Sequence, residues 1–136
     1  MTTLTDYKSG ARTIKADDAA TVYEAGLEAG TTYGFGYWGL VMSEGSVKPT
    51  DDVREIEHPT VTALRNGRKV QFWEHEDQDD EKVGPRHYLT AAKLIEGIKK
   101  CAELRGEAAW ALVDDCDGPT ADACIQYALF NEEKYG

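Results

Sequence analysis

The chain has 136 residues, with 15 Lys+Arg against 25 Asp+Glu, a formal net charge of −10 at pH 7 and a pI near 4.7. Such acidity opposes direct binding to nucleic acid or to an anionic membrane, both of which need a cationic surface. With 41% hydrophobic residues a folded core is expected, whereas no apolar run approaches the ~20 residues of a membrane span and the start MTTLTDYKSGARTIK lacks the apolar segment of a signal peptide.

Residues 1–15 are polar and without period, and are expected to form a loosely ordered arm; residues 16–136 then make a single domain. From Asp17 to Ala29 the spacing predicts a helix, with Ala19, Val22, Tyr23, Gly26 and Leu27 on one stripe and Glu24 and Glu28 facing away. Asp17 and Asp18 suit its positive start, and Gly30 suits its end.

Next comes TTYGFGYWGLV, in which Gly34, Gly36, Gly39 and Val41 spell G-x-G-x-x-G-x-V. A dinucleotide loop needs a strand before it and a helix directly after it. Here the helix comes first, and Trp38 to Met42 reads as strand. The kinase version of the loop fails as well, because no V-A-I-K, H-R-D or D-F-G element accompanies it. The two-residue alternation of Tyr33, Phe35 and Tyr37 with Gly34 and Gly36 predicts a strand with room for close approach on one face. Tyr33, Phe35, Tyr37 and Trp38 are core aromatics in one reading and the lining of a small-molecule or nucleotide pocket in another.

Val53 to Glu57 is a weaker strand candidate. In TVTALRNGRKVQFW, Asn66-Gly67 is the favoured pair for a two-residue type I′ hairpin, which would set Ala63 opposite Val70 and Val61 opposite Phe72. Further on, LTAAKLIEGIKKCAEL predicts an amphipathic helix that buries Ala91, Leu94, Ile95, Ile98, Cys101 and Ala102. A short helix over Glu107 to Val113 follows. The last helix is capped by Thr120, has Asp122 in its first turn, and turns Ile125, Ala128 and Leu129 inward. One helix, three strands and then helices indicate an α+β fold: a small antiparallel sheet packed against N-terminal and C-terminal helices.

Assembled chemistry is scarce. Cys101, Cys116 and Cys124 are odd in number and lack C-x-x-C spacing, so a disulfide framework is not expected and a reduced compartment fits. His58, His75 and His87 are scattered. A calcium loop beginning at Asp77 would need glycine sixth and an acid twelfth, where Lys82 and Tyr88 stand, so no metal and no cofactor is expected. No G-x-S-x-G elbow surrounds Ser9, Ser43 or Ser46. A non-enzymatic protein with no catalytic residues is the expectation.

The remaining feature is EHEDQDDE, where Glu74, Glu76, Asp77, Asp79, Asp80 and Glu81 crowd six carboxylates into eight residues. From Lys69 onward there are 15 acids against 8 bases, so the charge is polarised toward the second half. Such a run serves solubility, or presents a surface to Lys and Arg of a partner and steers association. In an extended segment, same-side residues repeat every ~6.6 Å. That is close to the ~7 Å spanned by two phosphate steps of one DNA strand. The six acids, with Trp73 as an apolar anchor, are therefore the candidate partner-binding residues.

At the C-terminus, ADACIQYALFNEEKYG, together with YGFGYWG and VQFWEHED, resembles a group of small acidic proteins encoded in tailed-phage genomes. Asp122, Ala123, Gln126, Ala128, Leu129, Phe130, Glu132, Tyr135 and Gly136 match its D-A-x-x-Q-x-A-L-F-G-E-x-x-Y-G ending, with Asn131 where that ending has glycine. The resemblance spans most of the chain from about Ala16, and its motifs are structural in character. It implies a phage origin and action on host machinery, hence the host cytoplasm. Joined to the acidic run, the expectation is a counter-defence protein of the anti-CRISPR kind, a DNA mimic that blocks a basic, nucleic-acid-handling host protein. The sequence sets no oligomeric state.

Overall fold

A computed structural model describes residues 13–43, 51, 57–74 and 85–135. Helix α1 covers Ala16–Glu28. The backbone N–H of Lys15 donates to Asp18 Oδ2 at 2.8 Å, closing the first turn, and Ala19, Ala20, Val22, Tyr23 and Gly26 are buried. Of the expected N-terminal arm only residues 13–15 are described, and there Ile14 packs into the core.

The strand expected over Tyr33 to Tyr37 is instead a single helical turn, α2 (Gly30–Tyr33), followed by a 3₁₀ turn over Phe35–Tyr37. Two contacts decide this. A Cβ on Gly34 would lie 1.9 Å from the Gly26 carbonyl oxygen, so the chain folds back against α1 with backbone touching backbone. In the 3₁₀ turn residues three apart share a face, which carries both Phe35 and Trp38 inward. An extended segment would have sent them to opposite sides. Gly34 and Gly39 of the motif thus serve packing.

Strand β1 (Gly39–Ser43) follows. The second difference from the sequence-based expectation is at Asn66-Gly67. Residues Pro59–Arg65 form helix α3, not the first arm of a hairpin. Pro59 sits at its first position, and His58 caps it by accepting from the Thr60 N–H at 3.2 Å. Gly67, at φ +81°, ends the helix, with the Arg68 N–H donating to the Ala63 carbonyl at 2.8 Å. A positive-φ Gly suits a helix end as well as a type I′ turn, so the dipeptide alone does not separate the two. Burial does: Thr60 to Leu64 are all enclosed, which a half-exposed hairpin arm does not allow.

The partner of β2 (Val70–Glu74) is therefore β1. The sheet has the order β1-β2-β3, with β3 at Arg86–Leu89 and both pairings antiparallel. Leu40 lies opposite Trp73 and Met42 opposite Gln71; in turn Trp73 lies opposite Arg86 and Gln71 opposite Tyr88. The fold is thus α+β, a small three-stranded antiparallel sheet packed against helices. The candidate strand over residues 53–57 lies outside the described residues except for Glu57, which is non-helical and pairs with Arg65.

Helix α4 (Ala91–Arg105) begins with Thr90 Oγ1 accepting from the Lys93 N–H and ends at Gly106 with φ +68°. Helix α5 covers Ala109–Asp114, and α6 covers Gly118–Phe130. The cap of α6 is Asp117, whose Oδ1 accepts from the Thr120 N–H at 2.8 Å. Thr120 itself is buried, with Arg105 donating to its hydroxyl. The aromatic centre of the core is Tyr23, Phe35, Trp38 and Phe72, with the Phe35 and Phe72 ring centroids 5.0 Å apart. Among the described residues no helix is long and apolar enough to cross a membrane.

α4 and α6 approach closely at Gly97, where a Cβ would stand 2.3 Å from the Cys124 carbonyl oxygen and 2.8 Å from Ala128. Helix propensity alone favours Gly97→Ala by about 1 kcal/mol. Overpacking against backbone reverses the sign, and we expect a net loss of about 1–3 kcal/mol. Urea unfolding checks it; an unchanged or raised midpoint contradicts the contact.

Candidate functional site

Five members of the acidic run, Glu76, Asp77, Asp79, Asp80 and Glu81, lie outside the described residues. The two that precede them take opposite sides of β2. Strand parity sends Val70, Phe72 and Glu74 inward and leaves Gln71 and Trp73 on the outer face. Glu74 is only 2% exposed, and so is not part of a surface offered to a partner. Its parity with Val70 and Phe72 is the reason.

Buried, Glu74 accepts from Lys134 Nζ at 2.6 Å and from the Tyr135 hydroxyl, and His87 Nε2 is 2.6 Å away. Burial pushes this carboxyl's pKa upward, but the hydrogen bonds from Lys134, Tyr135 and His87 outweigh it and hold the group at about 2, below its ordinary 4.5. β2, β3 and the C-terminal tail are thereby pinned to one carboxylate.

Trp73 is half-buried on the outer face, with the Arg86 guanidinium 4.4 Å from its ring and its indole N–H donating to Gln71 Oε1 at 3.3 Å. The four aromatics weighed as a pocket do not line one cavity. Phe35 and Trp38 are 1% and 0% exposed and filled around by Tyr23, Phe72 and Phe130. Tyr37 is half-buried and hydrogen-bonded, and Tyr33 is exposed. Exposed Tyr33 therefore shares no cavity with the enclosed pair Phe35 and Trp38.

Sequence reasoning did not find the second buried carboxylate. Asp122 accepts from Trp38 Nε1 at 2.7 Å, from the Tyr37 hydroxyl at 3.0 Å and from Gln126 Nε2 at 3.0 Å. Gln126 also donates to the Tyr135 carbonyl at 3.0 Å, and its Oε1 accepts the Tyr135 N–H at 2.7 Å. Burial raises the pKa of Asp122, outweighing the hydrogen bonds from Trp38, Gln126 and Tyr37 that oppose it. Burial and the Asp122 charge push the Tyr37 hydroxyl up to about 12. The available signal was the i,i+4 spacing of Asp122 and Gln126 on a helix face otherwise lined by Ile125 and Ala121.

The two carboxylates, His87, Lys134 and two tyrosines are the residue types of acid–base chemistry, but each carboxylate already accepts from several protein groups inside the fold. A general base needs a free lone pair within reach of a substrate proton. This arrangement instead locks the C-terminal tail onto the sheet and α6. Among the described residues no cluster of His, Cys, Asp and Glu is disposed to hold a metal ion. The three cysteines are free thiols: Cys101 and Cys124 are buried, and burial pushes the half-buried Cys116 up to about 12.

The lowered pKa of Glu74 sets a sign. Its contribution to stability is complete above about pH 4.5 and is lost as pH falls toward about 2. Asp122, with a raised folded pKa, contributes in the opposite sense, favouring the fold at low pH and losing that contribution as pH rises through its folded value. We expect Glu74→Gln to cost about 2–3 kcal/mol at pH 7, since it removes charge-assisted bonds from a buried group. It should also flatten the acid limb of a stability-against-pH curve. Urea midpoints at a series of pH values test this, and equal acid slopes for both proteins would refute it.

Comparisons with known protein families, with curated proteins and with solved structures find no match to this chain.

Proposed function

We propose that this chain is a non-enzymatic acidic protein that docks on the basic surface of a nucleic-acid-handling protein and blocks it, with tailed phage as its source and a host defence complex as its target. The observation that carries the reading is the charge: −10 overall, with Glu76, Asp77, Asp79, Asp80 and Glu81 concentrated between β2 and β3. Like charges packed within one short connection repel one another, and a cationic counterpart relieves that repulsion. Exposed Glu107, Asp114, Asp115 and Asp117 between α4 and α6 extend the negative field. The C-terminal resemblance to small acidic phage proteins supports the host setting. Glu74, buried and already bonded, takes no part in the contact.

The ordering of the interior supports a binding role over a catalytic one, because the two buried carboxylates, Glu74 and Asp122, are spent on internal bonds that fasten the tail, the sheet and the turn after α1. Contact is made by carboxylates in place of phosphates, so the target's own nucleic acid competes for the same groove.

Changing Glu76 and Glu81 to Gln and Asp77, Asp79 and Asp80 to Asn removes the charge without touching the described core. Affinity for a purified basic, nucleic-acid-handling target should fall by at least about 100-fold while the unfolding midpoint holds. For the unaltered chain it should drop steeply between about 50 and 500 mM salt. Duplex DNA should displace it. Binding that is flat with salt and survives the neutralised run would falsify the proposal.

A further inference from the structure

The outer face of the sheet gathers apolar side chains that the core does not use. Two cross-strand rows build it: Leu40–Trp73–Arg86 and Met42–Gln71–Tyr88. Leu40 is 52% exposed, Met42 59% and Tyr88 37%, so three of the five large exposed hydrophobics among the described residues share this face. Scattered exposed leucines are ordinary; a cluster on one sheet is the pattern of a contact surface. Met, Trp, Tyr and Arg are also the residues enriched where protein surfaces meet.

Among the described residues, the charged side chains seen against this face are cations. Lys69 precedes Val70 with the parity of Gln71 and Trp73, and its Nζ lies 5.5 Å from the centre of the Tyr88 ring. Arg86 sets its guanidinium 4.4 Å from the centre of the Trp73 ring, and Lys93 Nζ donates to the Tyr88 carbonyl at 3.0 Å, at the β3 border. The chain has 25 acids to 15 bases, yet none of these three cations pairs with a carboxylate among the described residues, whereas Arg65, Arg68 and Lys134 each do. A guanidinium resting on a ring keeps its in-plane N–H donors for an anion beyond it.

We infer that this face is a docking surface in its own right, and that its occupant is an acidic protein segment with an apolar side chain set between carboxylates. The contact goes beyond the docking of a basic protein and needs none of the acids between β2 and β3. Charge complementarity selects the occupant. A second copy stacked face to face would set Arg86 over the other copy's Lys69 with strands antiparallel, and Lys69 over its own counterpart with strands parallel, so like charges meet either way. At ordinary salt a charge is felt over about 8 Å, so these cations act locally although the whole chain is negative. Spacing narrows the occupant further. Lys69 and Trp73, on which Arg86 rests, lie about 13 Å apart along β2 at ~3.3 Å per residue. The first and fifth residues of an extended segment are equally far apart and point the same way. The pattern acid-x-apolar-x-acid therefore sets a carboxylate at each cation and its central side chain over the row Met42–Gln71–Tyr88.

Three peptides sharing a central leucine test it, with glutamate, serine or lysine at the two flanking positions. Titration is followed by the Trp73 indole N–H resonance and the Leu40 and Met42 methyl resonances. The glutamate-flanked peptide should bind about tenfold more tightly than the serine-flanked one and shift those signals, and the lysine-flanked one should bind most weakly. Lys69→Gln with Arg86→Gln should erase the margin of glutamate over serine. Leu40→Ala with Met42→Ala should weaken both peptides; all are surface changes, and unfolding midpoints verify that each variant folds. The chain with its five acids between β2 and β3 neutralised should bind the glutamate-flanked peptide at least as tightly, which separates this contact from the docking of a basic protein. Glutamate-flanked binding no tighter than serine-flanked, its loss in the neutralised chain, or a silent sheet face overturns the inference. Concentration-dependent dimers in sedimentation, abolished by the Leu40/Met42 pair of changes, overturn it in favour of a second copy.

Discussion

A fully enclosed indole has one N–H that must find an acceptor, and in this fold the acceptor is itself a buried charge. Trp38 is 0% exposed and gives its N–H to Asp122. A carboxylate taken out of water costs several kcal/mol unless donors surround it. Asp122 is tolerated inside only because the 3₁₀ turn brings Tyr37 and Trp38 to it and Gln126 closes it from one helical turn away. Tyr135 then stacks on the other side of the Trp38 ring, with centroids 5.3 Å apart and planes within 6°. The turn after α1, the last helix and the tail thus share one geometry, and a shift in any of them strands a charge. Such networks fix which packing is adopted more than they add net stability.

Glu74 repeats the device at the sheet. Its three partners come from β3 and the tail, so the C-terminal segment rests between two buried carboxylates. The orientation of the outer face follows from this. In β2 the inward set Val70, Phe72 and Glu74 and the outward set Gln71 and Trp73 are exchanged by a one-residue slip. A slip would drive Trp73 into the aromatic core and expose Glu74 without its donors. The interior salt bridge with Lys134 therefore determines that Trp73 stands outward beside Leu40 and Arg86.

Much of this was legible in the residues, and the failures have physical causes. The helices α1, α4 and α6 announce themselves by the spacing of their apolar residues, and their ends lie within a few residues of the predicted ones. The acidic run obscured its own first member: six neighbouring acids read as one exposed surface, although the alternation in VQFWE already assigned Glu74 to the side of Val70 and Phe72. Asn66-Gly67 misled for a different reason. The dipeptide supplies a positive φ, which a hairpin and a helix end both use, and the decision belonged to Pro59 and His58 seven or eight residues earlier. The aromatic strand was lost to a tertiary contact, the backbone approach of Gly34 to Gly26, which no local period encodes. Asp122 was placed correctly on its helix, but its burial depends on Trp38, 84 residues away.

The same reasoning separates what a shared sequence ending conveys from what it does not. Asp122, Gln126, Phe130 and Tyr135 of the C-terminal ending are committed to interior contacts. Asn131, standing where the pattern has glycine, is at φ +59°, the helix-ending conformation that glycine favours and asparagine tolerates best among the rest. A side chain whose polar atoms are already bonded inside the fold is not free to meet a partner. In this chain the ending therefore serves to fasten the tail. Leu40 and Met42 on β1 and Tyr88 on β3, by contrast, are exposed on the outer face of the sheet. Those residues carry none of the packing of the core. Substitutions there come at little cost to the fold, whereas substitutions in the ending change the fold first.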